Sequence, residues 1–222
     1  VIVGTGSNST AEAIEATKEA ECVGVDACLL VVPYYNKPTQ EGLYQHFKMV
    51  AESTSLPCIL YNVPSRTVAS LAAETVVKLS EIDNIVGVKE ASGNLEQISR
   101  IISNMREDFL VWSGNDSDTL PILAVGGYGV ISVASHMVGR QIRQMIESFI
   151  TGRVSEAAGI HRHLTPLFSD LFIVANPIPL KYVLNHVGFA VGKPRLPLTE
   201  PDEKTAARIL ETLKLYEIDL PV

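Results

Sequence analysis

Short runs of β-branched and aliphatic residues alternate along this chain with stretches whose apolar residues recur every three or four positions. That alternation constrains the fold more than any other feature. The runs at Val1 to Val3, Cys28 to Val32, Cys58 to Tyr61, Ile85 to Lys89, Phe109 to Trp112 and Val130 to Val133 read as strands. Thr10 to Cys22, Gln40 to Thr54, Leu71 to Leu79 and Leu95 to Met105 read as helices. Strand, helix and next strand make a right-handed crossover, so repetition of the unit builds a parallel sheet. Spacing alone leaves an open doubly wound sheet and a closed barrel both available. Polar and glycine-bearing segments favour the barrel, because they follow strand after strand: Gly4-Thr5-Gly6-Ser7-Asn8, Pro33-Tyr34-Tyr35-Asn36, Asn62 to Arg66, Glu90 to Asn94 and Ser113 to Asp116. A barrel gathers chemistry at the C-terminal end of every strand, whereas an open sheet concentrates it at one switch point. After Val133 the pattern is helical, at Met137 to Thr151, Val154 to Val174, Pro177 to Val187 and Glu203 to Tyr216. This exceeds what one crossover needs, so an appended helical element is expected.

The 222 residues suffice for one sizeable core in a single domain. Hydrophobic residues make up 46% of them, which excludes a disordered or fibrous chain and suits strands shielded on both faces. A formal charge of −7 with no basic stripe argues against nucleic acid as a partner, since phosphate binding needs clustered Lys and Arg. Cys22, Cys28 and Cys58 have neither CxxC spacing nor adjacent His ligands. They read as buried small hydrophobes in a reducing compartment rather than as a disulfide framework or zinc site. Nothing resembles a signal peptide, and no apolar run approaches the roughly 20 residues of a membrane helix, so a cytoplasmic location is expected and no membrane partner. The chain opens directly in the apolar strand Val1-Ile2-Val3, without Met, cap or polar lead-in, and it is expected to lack an N-terminal part.

Lys89 ends the run Ile85-Val86-Gly87-Val88-Lys89. Alternation puts Gly87 and Lys89 on one face and Val86 and Val88 on the other; if the valines meet the helices, Lys89 points into the barrel. Burial there lowers an amine's pKa and yields the neutral nucleophile that a Schiff base with a keto acid requires. The alternative, which spacing by itself favours, is a lysine at the strand mouth that reaches solvent or pairs with Glu90. Tyr61 ends its strand and suits a general acid/base beside the amine, because carbinolamine formation and breakdown move protons. A buried tyrosine with a satisfied hydroxyl is the competing reading. Arg66, in a Pro-Ser-Arg turn, either grips a substrate carboxylate through two parallel bonds or is an exposed turn residue. Tyr34 and Tyr35 offer a further hydroxyl or simple packing. Gly4-Thr5-Gly6 fails as a dinucleotide fingerprint because Ser9 stands where the third glycine belongs. Gly126-Gly127-Tyr128-Gly129 precedes a strand and reads as a tight turn. His136, His161, His163 and His186 lie in no metal motif, and His161 and His163, two apart, share no helical face and read as surface residues.

Assembled, these segments resemble the dihydrodipicolinate synthase family over essentially the whole chain. The resemblance rests on Gly4 to Asn8, Pro33 to Asn36, Tyr61 to Arg66, Gly87 to Ala91, Gly126 to Ser132 and Asn176 to Pro179. It implies that Lys89 forms an imine with pyruvate and that Tyr61 relays protons. It implies that Tyr35 reaches a neighbouring subunit's site, that Arg66 binds the carboxylate of aspartate semialdehyde, and that Gly114 and Ile131 line the pyruvate pocket, Ile131 through its backbone. An allosteric lysine site in the family is matched by Asn8, Glu12 and Tyr34. The resemblance further implies no metal or organic cofactor, a homotetramer made of dimers, and a place in lysine biosynthesis by the diaminopimelate route. The fold expected from it is a TIM (β/α)8-type barrel with six of eight strands present. Barrel elements from the third βα unit onward would occupy residues 1–136, and the last barrel helix with a C-terminal helical extension residues 137–222. The family's first two strands, and a Gly-Thr-Thr-Gly-Glu loop whose threonines complete the proton relay, have no match here.

Two readings compete with a synthase. N-acetylneuraminate lyase and the keto-deoxy-sugar-acid aldolases share the Schiff-base lysine and the strand-end tyrosine, and Arg66 separates them, since a semialdehyde offers a carboxylate to grip and a sugar chain offers hydroxyls. A non-catalytic homologue would keep the fold without the threonine loop.

Overall fold

The strands lie side by side in one sheet, in chain order: β1 (Ile2–Gly4), β2 (Ala27–Val31), β3 (Cys58–Asn62), β4 (Ile85–Glu90), β5 (Leu110–Ser113) and β6 (Gly129–Val130). Every neighbouring pair is parallel. A doubly wound sheet reverses its strand order at a switch point. Here the order never reverses, so the sheet is that of a (β/α) barrel, with six strands present and β1 and β6 at its edges. The computed structural model describes residues 1–219 and falls into two compact units, Val1–Ile131 and the residues from Ser132 onward.

In the first unit three of the crossover helices start on a side-chain cap. Helix α1 (Thr10–Val23) is capped by the Ser9 hydroxyl and stops at Gly24, whose left-handed backbone returns its N–H to the last turn. Thr39 caps α2 (Gln40–Glu52) and Asn94 caps α5 (Leu95–Asn104) in the same way. Three shorter pieces were not expected: α3 (Pro64–Thr67), α6 (Thr119–Ala124) and a 3-10 turn at Asp116–Asp118. One or two turns are too few to generate a periodic signal, although Pro64 at the first helical position was a local cue. Helix α4 spans Ala73–Ser80. β6 is shorter than the expected Val130 to Val133, and just beyond it the Ile131 N–H donates to the Ser113 carbonyl at 3.0 Å.

The apolar core lies between the sheet's outer face and the helices. Cys28, Leu30, Val32, Cys58, Leu60, Ile85, Val88 and Val111 pack with Leu43, Phe47, Val76, Leu79, Ile98, Ile101 and Ile122. Full burial of each such Leu, Ile or Phe contributes about 1.5–3 kcal/mol. Simple alternation paired Val86 with Val88 on this face, and the structure corrects it. Between Cys58 and Ile59 the register steps from Ile85 to Gly87, so β4 spends two residues against one of β3. Ile85 and Val88 enter the core, Val86 is only half-buried, and Lys89 keeps the opposite face.

The second unit is helical: α7 (Ser135–Ile150), α8 (Val154–Asp170), α9 (Ile178–His186) and α10 (Glu203–Leu213). Helix α8 ends before the expected Val174, since Phe172 and Ile173 continue the apolar pattern in sequence but sit exposed. The buried Asp170 carboxylate joins α8 to α10 by accepting from Arg208 Nε at 3.0 Å and Thr212 Oγ1 at 2.6 Å. His163 is exposed beside the Tyr216 ring, but His161 is half-buried against Phe168 rather than at the surface. No helix among the described residues is long and apolar enough to cross a membrane.

Candidate active site

One row of residues crosses the inner face of the sheet. Val31, Tyr61, Lys89, Trp112 and Gly129 stand opposite one another in register from β2 to β6. The expectation that Lys89 points away from the helices therefore holds. Its side chain is 9% exposed, with Nζ 4.3 Å from the centroid of the Tyr61 ring. Burial holds the amine below the ordinary lysine value of 10.5; the nearby Asp116 carboxylate opposes this and the Arg66 guanidinium adds to it. Burial raises the Tyr61 hydroxyl above its ordinary value of 10.0, with Arg66 acting against the rise. An amine that sheds its proton more readily thus lies beside a phenol that keeps its own. The pair can present a nucleophile and a proton donor to a single carbonyl.

Glycines admit this arrangement. A Cβ on Gly114 would lie 3.2 Å from Lys89 Cε and 2.7 Å from the Ala91 Cβ, so Gly114 is packed directly against the lysine stem. A Cβ on Gly87, one inward position below Lys89, would meet Trp112 Cζ3 at 2.4 Å and the Leu110 carbonyl oxygen at 2.3 Å. The Trp112 indole therefore lies over Gly87, and the Tyr128 ring meets it edge-on at 5.9 Å. Ile131 is aligned beside β5 through its bond to Ser113.

Glu90 does not pair with Lys89. It lies on the opposite face, fully buried, where Asn62 Nδ2 donates to both its oxygens at 3.1 and 3.0 Å. Arg66 sits on α3, immediately after β3, exposed but close enough to bias both Tyr61 and Lys89. Tyr35 is different: 86% exposed and held at φ 75°, a left-handed conformation uncommon for a non-glycine residue, it lies outside the buried cluster. The expected effector residues do meet in part. Asn8 Nδ2 donates to the Tyr34 carbonyl at 3.1 Å, and Ser7 Oγ donates to Glu12 Oε2 at 2.7 Å in the first turn of α1. Sequence reasoning missed Asp116, Trp112 and the Asn62–Glu90 pair as parts of this site. Asp116 closes the flagged segment Ser113 to Asp116, while Asn62 and Glu90 directly follow Tyr61 and Lys89, so position was the available signal. Among the described residues no group of three His, Cys, Asp or Glu side chains is arranged to hold a metal ion.

Comparisons with known proteins place the chain among close relatives. The chain is 69% identical over all 222 residues to a Dehalococcoides mccartyi protein named 4-hydroxy-tetrahydrodipicolinate synthase, of which it spans 75%. It is 55% identical over 215 residues to the Listeria welshimeri protein of the same name, covering 96% of this chain and 73% of that one. A dihydrodipicolinate synthase from Cyanidioschyzon merolae, solved with lysine bound, superposes with a TM-score of 0.95 at 49% identity over 97% of this chain and 73% of that one. A chloride-inhibited dihydrodipicolinate synthase from Acinetobacter baumannii, complexed with pyruvate, gives 0.92 at 42% identity over 96% and 74%. The model of the dihydrodipicolinate synthetase family matches residues 1–215, and the chain belongs to that family.

Proposed function

We propose that the protein is a class I, Schiff-base lyase, a 4-hydroxy-tetrahydrodipicolinate synthase that condenses pyruvate with aspartate semialdehyde on the diaminopimelate route to lysine. The observation that carries this reading is the buried Lys89 amine, biased toward its neutral form, beside the Tyr61 hydroxyl. The Lys89 Nζ attacks the keto carbon of pyruvate to give a carbinolamine. Tyr61 supplies the proton with which water leaves, and the imine remains. Loss of a methyl proton turns the imine into an enamine, whose carbon attacks the aldehyde of the semialdehyde. The semialdehyde's amine then adds to the imine carbon, closes the ring and releases Lys89. Arg66 holds the semialdehyde carboxylate, a role suited to a guanidinium at the strand mouth. Gly114 and the Ile131 backbone line the pyruvate pocket, and no cofactor is required.

Further parts of the proposal rest on one relative's name and on the exposure of one residue. A relative solved with lysine bound supports lysine as an effector; Asn8, Glu12 and Tyr34 are proposed as its site. The exposure of Tyr35 supports its reaching a neighbouring subunit's site in a homotetramer built as a dimer of dimers. A cytoplasmic location suits such a biosynthetic enzyme. Residues 1–136 are taken as barrel elements, and those from 137 onward as the last barrel helix and the helical extension; of the expected 137–222, residues 220–222 lie outside the described residues. Borohydride reduction in the presence of pyruvate tests the chemistry: one reduced pyruvate is expected on the peptide bearing Lys89, and a label on another lysine overturns the assignment.

A further inference from the structure

We infer, on the reading of Lys89 as the imine-forming amine, that Asn62 and Glu90 are positioning residues: the outward pair sets the spacing of the inward pair Tyr61 and Lys89. Each member of one pair directly follows a member of the other along the chain, and both pairs are register partners across β3 and β4. Consecutive strand residues point to opposite faces, so a bond between Asn62 and Glu90 clamps the same stretch of backbone from behind.

The clamp is complete and dry. Asn62 and Glu90 are both fully buried. Asn62 Nδ2 donates to the two carboxylate oxygens at 3.1 and 3.0 Å, and the Ser92 N–H donates to Oε1 at 2.8 Å. On its other side Asn62 Oδ1 accepts the Leu71 N–H at 3.0 Å, and Gln97 Nε2 donates to the Leu71 carbonyl at 3.1 Å. The network thus joins the mouths of β3 and β4, the segment that leads out of α3 with Arg66, and the start of α5. Backbone bonds run through the same residues: the Ala91 N–H donates to the Asn62 carbonyl at 2.8 Å, and the Gly114 N–H to the Glu90 carbonyl at 2.7 Å. Burial raises the Glu90 pKa and the hydrogen bonds from Asn62 and Ser92 act against the rise, so the position disfavours a charge that lacks these partners. An apolar pair of similar size would pack the strands without that cost. What a satisfied polar pair adds is one fixed register, because any slip leaves buried donors and acceptors unpaired. At an active site a shift of about 1 Å can cost roughly 100-fold in rate.

The test uses the complete natural protein and an exchange of groups. Glu90→Ala removes the clamp, and Asn62→Asp sets two carboxylates against each other. In Asn62→Asp/Glu90→Gln the amide and the carboxylate change strands and the cross-strand bond can re-form. We expect each single variant to lose roughly 10- to 100-fold in kcat with the KM for pyruvate within about threefold, and the exchange to recover most of kcat. Recovery of the melting temperature by the exchange without recovery of kcat overturns the inference. If those variants do not fold, Glu90→Gln, which keeps the shape and loses one acceptor, decides: an unchanged kcat overturns it and a selective fall in kcat supports it. If the unmodified protein forms no imine at Lys89, the reading of function fails separately. The clamp is then judged from crystal structures of the unmodified protein and Glu90→Gln, where an unchanged distance of Lys89 Nζ from the Tyr61 ring rejects it and a wider one supports it.

Discussion

Tyr61 and Lys89 face each other in register on adjacent parallel strands, with the lysine Nζ 4.3 Å from the centroid of the tyrosine ring. The ring lies against the buried amine, and in the proposed function the hydroxyl moves protons; substitution can separate the two roles. Tyr61→Phe keeps the ring and removes the hydroxyl. Turnover should fall by about 10² to 10⁴, the usual worth of a positioned acid/base, and borohydride should trap pyruvate on Lys89 more slowly but, given time, to the same final extent. Steady-state kinetics beside mass spectrometry of the trapped peptide over time make the comparison; a lower final extent of trapping that more pyruvate restores would assign Tyr61 to the binding of pyruvate instead.

The charges around Lys89 have opposite effects and predict opposite shifts. Asp116 favours the charged amine, so Asp116→Asn should move the pH dependence of trapping to lower pH. Arg66 favours the neutral amine, so Arg66→Ala should move it up toward 10.5. Arg66→Ala should also lose condensation with aspartate semialdehyde far more than pyruvate trapping. Linkage sets the sign for stability. The amine's pKa is lower in the folded chain than in the unfolded one, so the unfolded chain binds more protons between the folded value and 10.5. Lys89 therefore makes stability rise with pH through that window, and Lys89→Met should flatten the rise in urea titrations.

Gly87→Ala should destabilise the fold by about 1–3 kcal/mol, the usual cost of overpacking. The new methyl would meet the Trp112 ring at 2.4 Å and the Leu110 carbonyl at 2.3 Å. A smaller residue at 112 relieves only the first contact, because the second is backbone. Adding Trp112→Leu should therefore fail to restore the urea midpoint.

Cys22 is exposed, against the expectation of burial, whereas Cys28 and Cys58 are buried and free. Iodoacetamide should alkylate Cys22 in the native protein and the other two only after unfolding. Burial pushes the Cys58 thiol up to about 12 from 9.0. The unfolded chain ionises first, so stability from Cys58 is present below pH 9.0 and is lost as pH rises toward 12. Cys58→Ala should soften that alkaline loss.

What the sequence by itself determined is what local periodicity can carry. Alternation of strands and helices required a parallel sheet, polar strand ends placed the chemistry at one end of it, and the period of two turned Lys89 inward. Gly24 and Ser9 marked the limits of α1 because caps are local chemistry. Only the tertiary structure decided which neighbour each strand residue meets. The extra residue at Val86 moved Ile85 into the core, a register effect that no single strand reveals. Glu90 meets Asn62 because β3 and β4 pair in the register that sets those two residues opposite each other, and Trp112 settled over Gly87 because the indole fills space a side chain there would occupy. These are contacts between residues distant in sequence, set by the joint packing of several strands, and a one-dimensional pattern does not encode them.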